Sequence, residues 1–376
     1  MNSQKPYSTF YKVFYRVPVA VIKVLVRIKP WVLDSKKNTY WPEKPLKSHF
    51  RILADHLWYA CKFGFNLDDY YPMGLDVKGK HVKDYVSDIV QMIAMQGLNG
   101  SFNVKYNKIK FDLLGCIRDK WVFAQMMKAY GLPIPKTYGL IKGGKLFKVD
   151  PYSENDLSVM ANEELNVFLK PVDGICGVGI YHVRTGEGKI VYQGKEISSA
   201  ELKEMVKDGK YLVQYFIDNQ HPGMVKLYDG AVNTLRIVVA HDPDGPHVIG
   251  RMCMMGAHGT SRSNWHFGGV AINLKEDGTL DKYGFCKIDK KVLAHPDSGT
   301  VFEGYKIPYF DEAIELAKNA SSLFYGFASM GWDIAITENG PVIIEGNDDW
   351  GLVAHQMVED RGYAPLWIEH FGKINL

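Results

Sequence analysis

Residues 331–351 read GWDIAITENGPVIIEGNDDWG, two apolar runs that each carry an acid: Asp333 near the start of the first, Glu345 at the end of the second, two residues before Asn347. Burying a lone carboxylate costs several kcal/mol unless a positive partner meets it. A chain containing this hairpin therefore folds around a cation or leaves the hairpin at an edge. Hard cations such as Mg²⁺ or Mn²⁺ take carboxylate and amide oxygens, and Mg²⁺ is usually held by one or two carboxylates plus substrate phosphates. Glu345 and Asn347, two apart on a strand, share a face, and Asp333 must reach that face from the partner strand. A two-residue Asn339-Gly340 turn would pair Asp333 with Gly346 and turn the two acids to opposite faces. A three-residue Glu338-Asn339-Gly340 loop pairs Asp333 with Glu345. The metal reading requires that loop or an equivalent bulge. An edge hairpin with solvated acids fits poorly with VIIEGN, where three branched apolar residues run straight into the carboxylate.

The rest of the chain supports a globular body. Its 376 residues are 46% hydrophobic, enough for one large or two to three ordinary domains. The 45 basic and 42 acidic residues nearly cancel, so the overall balance gives no reason to expect nucleic-acid binding. Five scattered cysteines (Cys61, Cys116, Cys176, Cys253, Cys286) form no CxxC, which fits a reduced, cytoplasmic compartment. The exception to charge balance is the amino terminus, where residues 1–33 hold six Lys/Arg and no acid. At 100° per residue, Lys12, Arg16, Lys23 and Arg27 share a narrow stripe, away from Phe10, Val13, Phe14, Val17, Val21, Val24 and Ile28. Its uncharged runs are too short to span a bilayer, and no signal-peptide cleavage pattern follows. Two readings stand: peripheral contact of residues 10–29 with an anionic membrane, at its inner face, or with a membrane-bound partner; or a helix, broken or begun at Pro18, docked on the protein's own core.

Residues 34–118 read as helical pieces, with candidates at 47–63 and 81–97, and no chemistry is visible there. A helix capped by Asp119 runs through KWVFAQMMKAYG to the Gly131-Leu-Pro133 turn. Strand patterns at 136–141, 166–171, 179–184 and 210–217 then alternate with helical patterns at 154–164 and 198–208. Further strands at 232–240, 247–256, 268–274 and 282–288 precede a helix at 309–329, the hairpin, and helices at 351–361 and 364–371. With no repeats, the expectation is an α+β body.

Four further stretches carry chemistry. FLKPVDGICGVGIYHV, residues 168–183, places Lys170 at the end of a strand and Gly174, Gly177 and Gly179 in the loop after it. Glycines let backbone N–H groups approach a polyanion, and the lysine supplies a point charge for phosphate. A strand follows where Walker A or dinucleotide motifs need a helix, and a flexible hairpin with an exposed lysine reads equally well. Cys176 in this loop has no neighbouring base. YLVQYFID, residues 211–218, is a strand with a polar end that fits either beside a purine or in an ordinary core. NTLRIVVAHD puts Arg236 inside a β-branched strand, where a guanidinium needs an anion. GAHGTSRSNWHFGG, residues 256–269, gathers His258, Arg262, Asn264 and His266 with four glycines in an irregular stretch suited to wrapping phosphate or carboxylate oxygens. No neighbouring cysteine or carboxylate makes His258 or His266 a zinc ligand.

Together these residues resemble the ATP-grasp superfamily, in order from about residue 119 to 350: Asp119-Lys120, Phe168-Leu-Lys170 with the glycine loop, Gln214-Tyr-Phe-Ile217, and Asp333 with Glu345-x-Asn347. Arg262-Ser-Asn-Trp-His-Phe-Gly-Gly269 is similar to a motif of ATP-grasp ligases that add glutamate to protein tails. With the Val232–Ile237 strand and the basic amino terminus, the whole looks most like the sugar-transfer-associated ATP-grasp family, whose members are linked to cell-surface polysaccharide synthesis. The resemblance implies an ATP-grasp fold of two α+β subdomains clasping ATP, over residues 119–350, with a lid subdomain at about 136–209. A basic segment (1–33), a mainly helical region (34–118) and a helical segment (351–376) flank it. It implies that Lys120, Lys170 and the Gly174, Gly177, Gly179 loop hold phosphates. Gln214, Tyr215, Phe216 and Ile217 would seat adenine, with His221 near the ribose. Asp333, Glu345 and Asn347 would bind Mg²⁺ or Mn²⁺, and Arg236, Arg262 and Asn264 would serve the reacting groups. The implied reaction joins a small-molecule or glycan carboxylate, such as a uronic acid, to an amine through an acyl phosphate. A kinase acting on a hydroxyl, or a non-catalytic nucleotide-binding module, are the other readings. Two departures stand out: Gln214 where many relatives carry Glu, and Asp348-Asp349-Trp350-Gly351 in place of a Pro-Gly turn.

Overall fold

The computed structural model describes residues 12–107, 114–149, 151–174, 178–260, 262–263, 265–324 and 326–372. The chain forms two compact units. One comprises Met1–Asp112, Pro222–Trp332 and Asp348–Leu376, the other Leu113–His221 and Asp333–Asn347.

The second unit is built on helix α4 (Lys120–Ala129), strands β1 (Thr137–Lys142), β2 (Lys145–Val149), β3 (Tyr152–Asp156), β4 (Leu165–Pro171), β5 (Tyr181–Gly186), β6 (Lys189–Tyr192), β7 (Lys195–Ile197) and β8 (Lys210–Tyr215), and helix α5 (Ser199–Val206). The strands form one sheet in the order β3-β2-β1-β8-β4-β5-β6-β7. Leu165, Val167 and Leu169 of β4 alternate into a core with Ile141, Leu146, Val183 and Val213, which Leu202 and Val206 of α5 help close. Because strand side chains alternate faces, Asn166, Phe168 and Lys170 point the other way. The register pairs Phe168 with Gln214 and Lys170 with Leu212, so Phe168, Lys170 and Gln214 share that second face. Helix α4 starts as the sequence predicts: Asp119 accepts from the N–H groups of Trp121 at 2.9 Å and Val122 at 3.0 Å, supplying partners for two of the helix's orphan donors. Helix α5 begins with a reciprocal Ser198/Glu201 capping box.

The first unit carries helices α1 (Val17–Val26), α2 (His49–Phe63) and α3 (Asp88–Asn107), strands β9 (Thr234–Asp242), β10 (Gly245–Met255), β11 (Val270–Leu274), β12 (Leu280–Cys286) and β13 (Lys290–Val292), and helices α6 (Phe310–Leu323), α7 (Leu352–Val358) and α8 (Ala364–Phe371). Strand β14 (Ser329–Thr337) starts in this unit, and its Asp333 end and β15 (Gly340–Asn347) count with the other. The sheet order is β13-β12-β11-β10-β9-β14-β15. Its large core includes Tyr59, Tyr70, Phe285, Trp350 and Tyr363.

The expected helix at 154–164 is instead β3 followed by a 3-10 turn, Leu157–Asn162. Asp156 caps that turn by accepting from Ser158 N at 3.0 Å, and β3 pairs with β2 along its length, so the apolar spacing belongs to a turn packed under the sheet. The pattern at 81–97 splits into a 3-10 turn at Val82–Asp84 and α3, and the one at 309–329 ends at Leu323. The short strands β2, β3, β6, β7 and β13 were not among the expected elements.

Candidate functional site

Within the second unit, the sheet face opposite the core gathers the expected nucleotide residues. Lys170 donates from Nζ to Gln214 Oε1 at 2.7 Å, while Gln214 Nε2 donates to Pro135 O at 3.2 Å. Gln214 thus orients the ammonium without neutralising it. Burial pushes the Lys170 pKa down to about 8; Glu345 opposes that shift, and Lys120 adds to it. These are the fields of groups close by, and they place Lys170 beside one carboxylate and a second lysine. Lys120, the first residue of α4, donates its Nζ to Gly174 O, and its own N–H bonds Val172 O at 2.8 Å. Of the loop glycines, Gly174 and Gly179 both lie on Pro171: a Cβ at either would come within 3.0 Å and 3.1 Å of that ring, and Gly179 has φ 73°. Gly177 and Cys176 lie outside the described residues.

The expected adenine segment, Gln214–Ile217, starts in the last two residues of β8 and runs past its end. Phe216 stacks on His182 at 4.8 Å between ring centres and lies 5.4 Å from Phe168. His182 sits 2.6 Å from Asn166 Oδ1, and burial, with Arg184 nearby, lowers its pKa and holds it neutral at pH 7. Tyr215 and Phe216 commit their N–H groups to Lys136 O and Asn166 O, at 2.9 Å and 2.8 Å. A purine here would have to bond to other groups of the segment. His221 is tied to the hairpin, its N–H donating to Ile336 O at 2.9 Å, and Gln220 bridges to Thr337.

The hairpin turn consists of Glu338 and Asn339, and Gly340 enters β15 with φ 110° while Asn339 is not among the positive-φ residues. A two-residue Asn339-Gly340 turn of type I′ needs positive φ at both positions, so it is excluded. A glycine bulge after Glu338-Asn339 is the three-residue class under which Asp333 opposes Glu345. Thr337 Oγ1 locks the turn, donating to Gly340 O at 2.8 Å and accepting from Asn339 N at 3.2 Å. Asp333 is buried, and the Asn347 Nδ2 is buried with no hydrogen-bond partner. Since the two ends of an amide are assigned by their hydrogen bonds, turning that amide over would present Oδ1 in the same place. Two carboxylates and an unsatisfied amide are a donor set that fits a hard divalent cation.

The first unit holds the expected arginines. Arg236 reaches Trp350 O at 3.5 Å. It also acts on Asp88, at the start of α3, in the region where the sequence showed no chemistry. Burial pushes the Asp88 carboxyl up to about 6, the Val353 N–H bond at 2.9 Å pulls it back, Asp349 raises it and Arg236 lowers it. Ser87-Asp88 ahead of an apolar helix was the available signal. Arg262 is exposed, its guanidinium 4.9 Å over the Phe267 ring, and Asn264 lies outside the described residues. For His258 the structure corrects the sequence reading, because the end of β12 brings both a carboxylate and a thiol to it. Asp289 Oδ2 is 3.0 Å from His258 Nε2 and 3.7 Å from Cys286 Sγ. That trio is already bonded to itself.

Comparison with known proteins comes to rest on one family. No curated protein matches. Among solved structures, an N5-carboxyaminoimidazole ribonucleotide synthetase from Thermotoga maritima is 16% identical over 69% of this chain and 49% of its own, with TM-score 0.36. An L-amino acid ligase from Bacillus licheniformis is 14% identical over 73% and 56%, TM-score 0.36, and a D-alanine–D-alanine ligase from Bacillus anthracis, complexed with ATP, is 12% identical over 78% and 78%, TM-score 0.35. This chain thus spans about half the length of the first of these proteins. Residues 98–373, most of the chain, match the family described as sugar-transfer associated ATP-grasp, and to that family the protein belongs.

Proposed function

We infer that the protein is an ATP-dependent carboxylate–amine ligase. The observation that carries this reading is the pair of lysines at the glycine loop: Lys170 is buried at the end of β4, where Glu345 favours its charge and Lys120 opposes it, and Lys120 donates its Nζ to Gly174 O. A cation surplus at the rim of a glycine loop favours a polyanion, and in an ATP-grasp protein that polyanion is the triphosphate.

Lys120 and Lys170 bind the phosphates, and the loop after β4 covers them. The Gln214–Ile217 segment seats the adenine, with His221 at the ribose. Asp333, Glu345 and Asn347 hold Mg²⁺, which when bound screens the phosphate charges. The resemblance assigns Arg236 and Arg262 to the charge that develops as phosphoryl moves, and counts Asn264 among the catalytic residues. An oxygen of the substrate carboxylate attacks the γ-phosphorus and the bond to ADP breaks. The amine then attacks the acyl carbon, phosphate departs with the bonding pair, and the amine's proton passes to solvent. Excluding water protects the acyl phosphate from hydrolysis. The family's link with sugar transfer favours a sugar acid, or an amino acid joined to a glycan, as substrate.

The test is incubation with ATP, Mg²⁺ and a panel of uronic and amino acids, with and without hydroxylamine. ADP release with a hydroxamate product is expected, and Glu345→Ala should abolish both while its circular dichroism stays unchanged. Phosphate on a substrate hydroxyl with no hydroxamate would make the protein a kinase. Unchanged turnover in Glu345→Ala would remove the site assignment.

A further inference from the structure

Helix α1 docks on the protein by one narrow side only. Ala20 and Val24 are buried against Ala60 of α2. On a 100° wheel the opposite face consists of Pro18, Val19, Ile22, Leu25 and Val26, with no polar side chain among them. These are water-facing positions: Ile22 is 58% exposed and Val26 79%, with Val19 and Leu25 each half exposed. Leu33, just after the helix, is 53% exposed, and on the adjoining α2 Phe50 is more exposed still. A helix resting on a globular surface normally turns polar residues outward. Here the outward side is the apolar one.

The charges run along its border. Arg16 stacks 3.5 Å over the Phe65 ring, Arg27 lies 5.3 Å from the Trp31 ring and Lys23 5.7 Å from the same ring. Arg16, Lys23 and Arg27, three of the four cations of the stripe that the sequence showed, therefore lie between the docked side and the outward side. Residues 12–33 contain five Lys/Arg and no acid, and an acid that faces this stripe is Asp68, 3.9 Å from Lys23. An apolar strip bordered by fixed cations is the arrangement of helices that lie in a bilayer interface, with the strip in the acyl boundary and the cations at anionic headgroups. Ten residues rise only about 15 Å, too short to span; no described helix is long and apolar enough to cross a membrane. A second copy of this chain is the less favoured occupant, because a two-fold contact through this face would bring two cationic stripes together.

We propose that α1 docks the protein on an anionic membrane surface, lying in the plane of the interface with Ile22 and Val26 inserted. This concerns a surface in the first unit and does not depend on the ligase reading. The test is co-sedimentation of the full chain with phosphatidylcholine vesicles, with and without phosphatidylglycerol. The chain should pellet with the anionic vesicles and stay largely in solution with the neutral ones, and raised salt should weaken the binding. The double variant Ile22→Asp, Val26→Asp should lose at least about tenfold in partitioning with an unchanged melting temperature, since both positions face out. Ile22→Trp should strengthen partitioning and keeps the test decisive if the double variant folds poorly. Failure of the intact chain to bind anionic vesicles would overturn the proposal. So would undiminished binding by the folded double variant, or light scattering that shows a dimer converted to a monomer by that variant without vesicles.

Discussion

Two cations in this molecule sit in apolar strands, and their surroundings differ in sign. Lys170 has a neutral amide acceptor in Gln214, one nearby carboxylate in Glu345, and a second lysine working against it. Arg236 has Asp88 close by, and Asp88 in turn feels Asp349, so acid rather than base is in excess there. The first arrangement is short of negative charge and the second is not. A buried cation short of anions is a place to bind one in the ground state, whereas a cation beside acids contributes to stability as well as to any charge that develops later.

The difference is broken most directly by removing each charge while keeping bulk. Lys170→Met should lower affinity for a non-hydrolysable ATP analogue with Mg²⁺ by about 100-fold, the worth of one or two charge-assisted phosphate contacts. Arg236→Met should leave that affinity within about threefold. It should instead reduce stability by about 1.5 kcal/mol at pH 7, because Asp88 loses a counterion and, with its pKa near 6, takes up a proton at about that cost. Calorimetric titration and urea unfolding measure the two effects. If Arg236→Met damaged binding and spared stability, the contrast would be reversed.

Titration sharpens it further. With the free-protein Lys170 pKa near 8, the ammonium that receives phosphate is present below that pH and lost above it. Affinity for the ATP analogue should therefore be flat up to about pH 8 and then fall by up to about tenfold per unit. Bound phosphates favour the charged form, so binding near pH 8.5 should take up a proton, visible as a dependence of binding heat on buffer. Lys170→Met should abolish both effects.

Asp88 gives the smaller, opposite case. Its folded-state pKa of about 6 lies above the ordinary aspartate value of 3.8. Its contribution to stability is thus fully present below the unfolded pKa and lost as pH rises through about 6. At pH 7 the buried charge is a burden of roughly 3 kcal/mol before allowance for partial relaxation. Asp88→Asn should raise stability by about 1 kcal/mol at neutral pH and by nothing near pH 4, as urea unfolding at both pH values would show. A gain of equal size at pH 4 would mean that the carboxylate charge is not the cause.

The sequence revealed patterns held within single elements. The Asp119 cap, the strands 165–171 and 210–215 and the two C-terminal helices were legible because each shows its own periodicity or cap. The strands of three to five residues were not, since so few positions cannot establish a period of two. Site residues were legible where a motif carries both the residue and its reason, as with Lys170 before the glycine loop. Asp88, and the partners of His258, were not, because what makes them matter arrives from distant segments: Val353 and Arg236 for the one, Asp289 and Cys286 for the other. Arg236 shows the half-way case: the sequence said that it needs an anion but could not say which.

The smallest expected effect tests the turn on which the hairpin's acids depend. Gly340 holds φ 110°, and a Cβ there would meet nothing within 4 Å, so replacing it with alanine adds backbone strain and no clash. Gly340→Ala should cost about 1–2 kcal/mol in urea unfolding from that strain alone. If the bulge sets the register, some of the strain can be relieved by slipping toward a turn that separates Asp333 from Glu345, and the Mg²⁺ concentration needed for ATP-analogue binding should rise in the same variant. Gly299→Ala is the control, because it too sits at positive φ with open space around its Cβ but lies far from the hairpin in sequence. It should reproduce the stability loss and leave the Mg²⁺ requirement unchanged. Equal Mg²⁺ requirements in the two variants would mean that the hairpin keeps its register without the glycine, and that the pairing of its acids is fixed by the strands rather than by the turn.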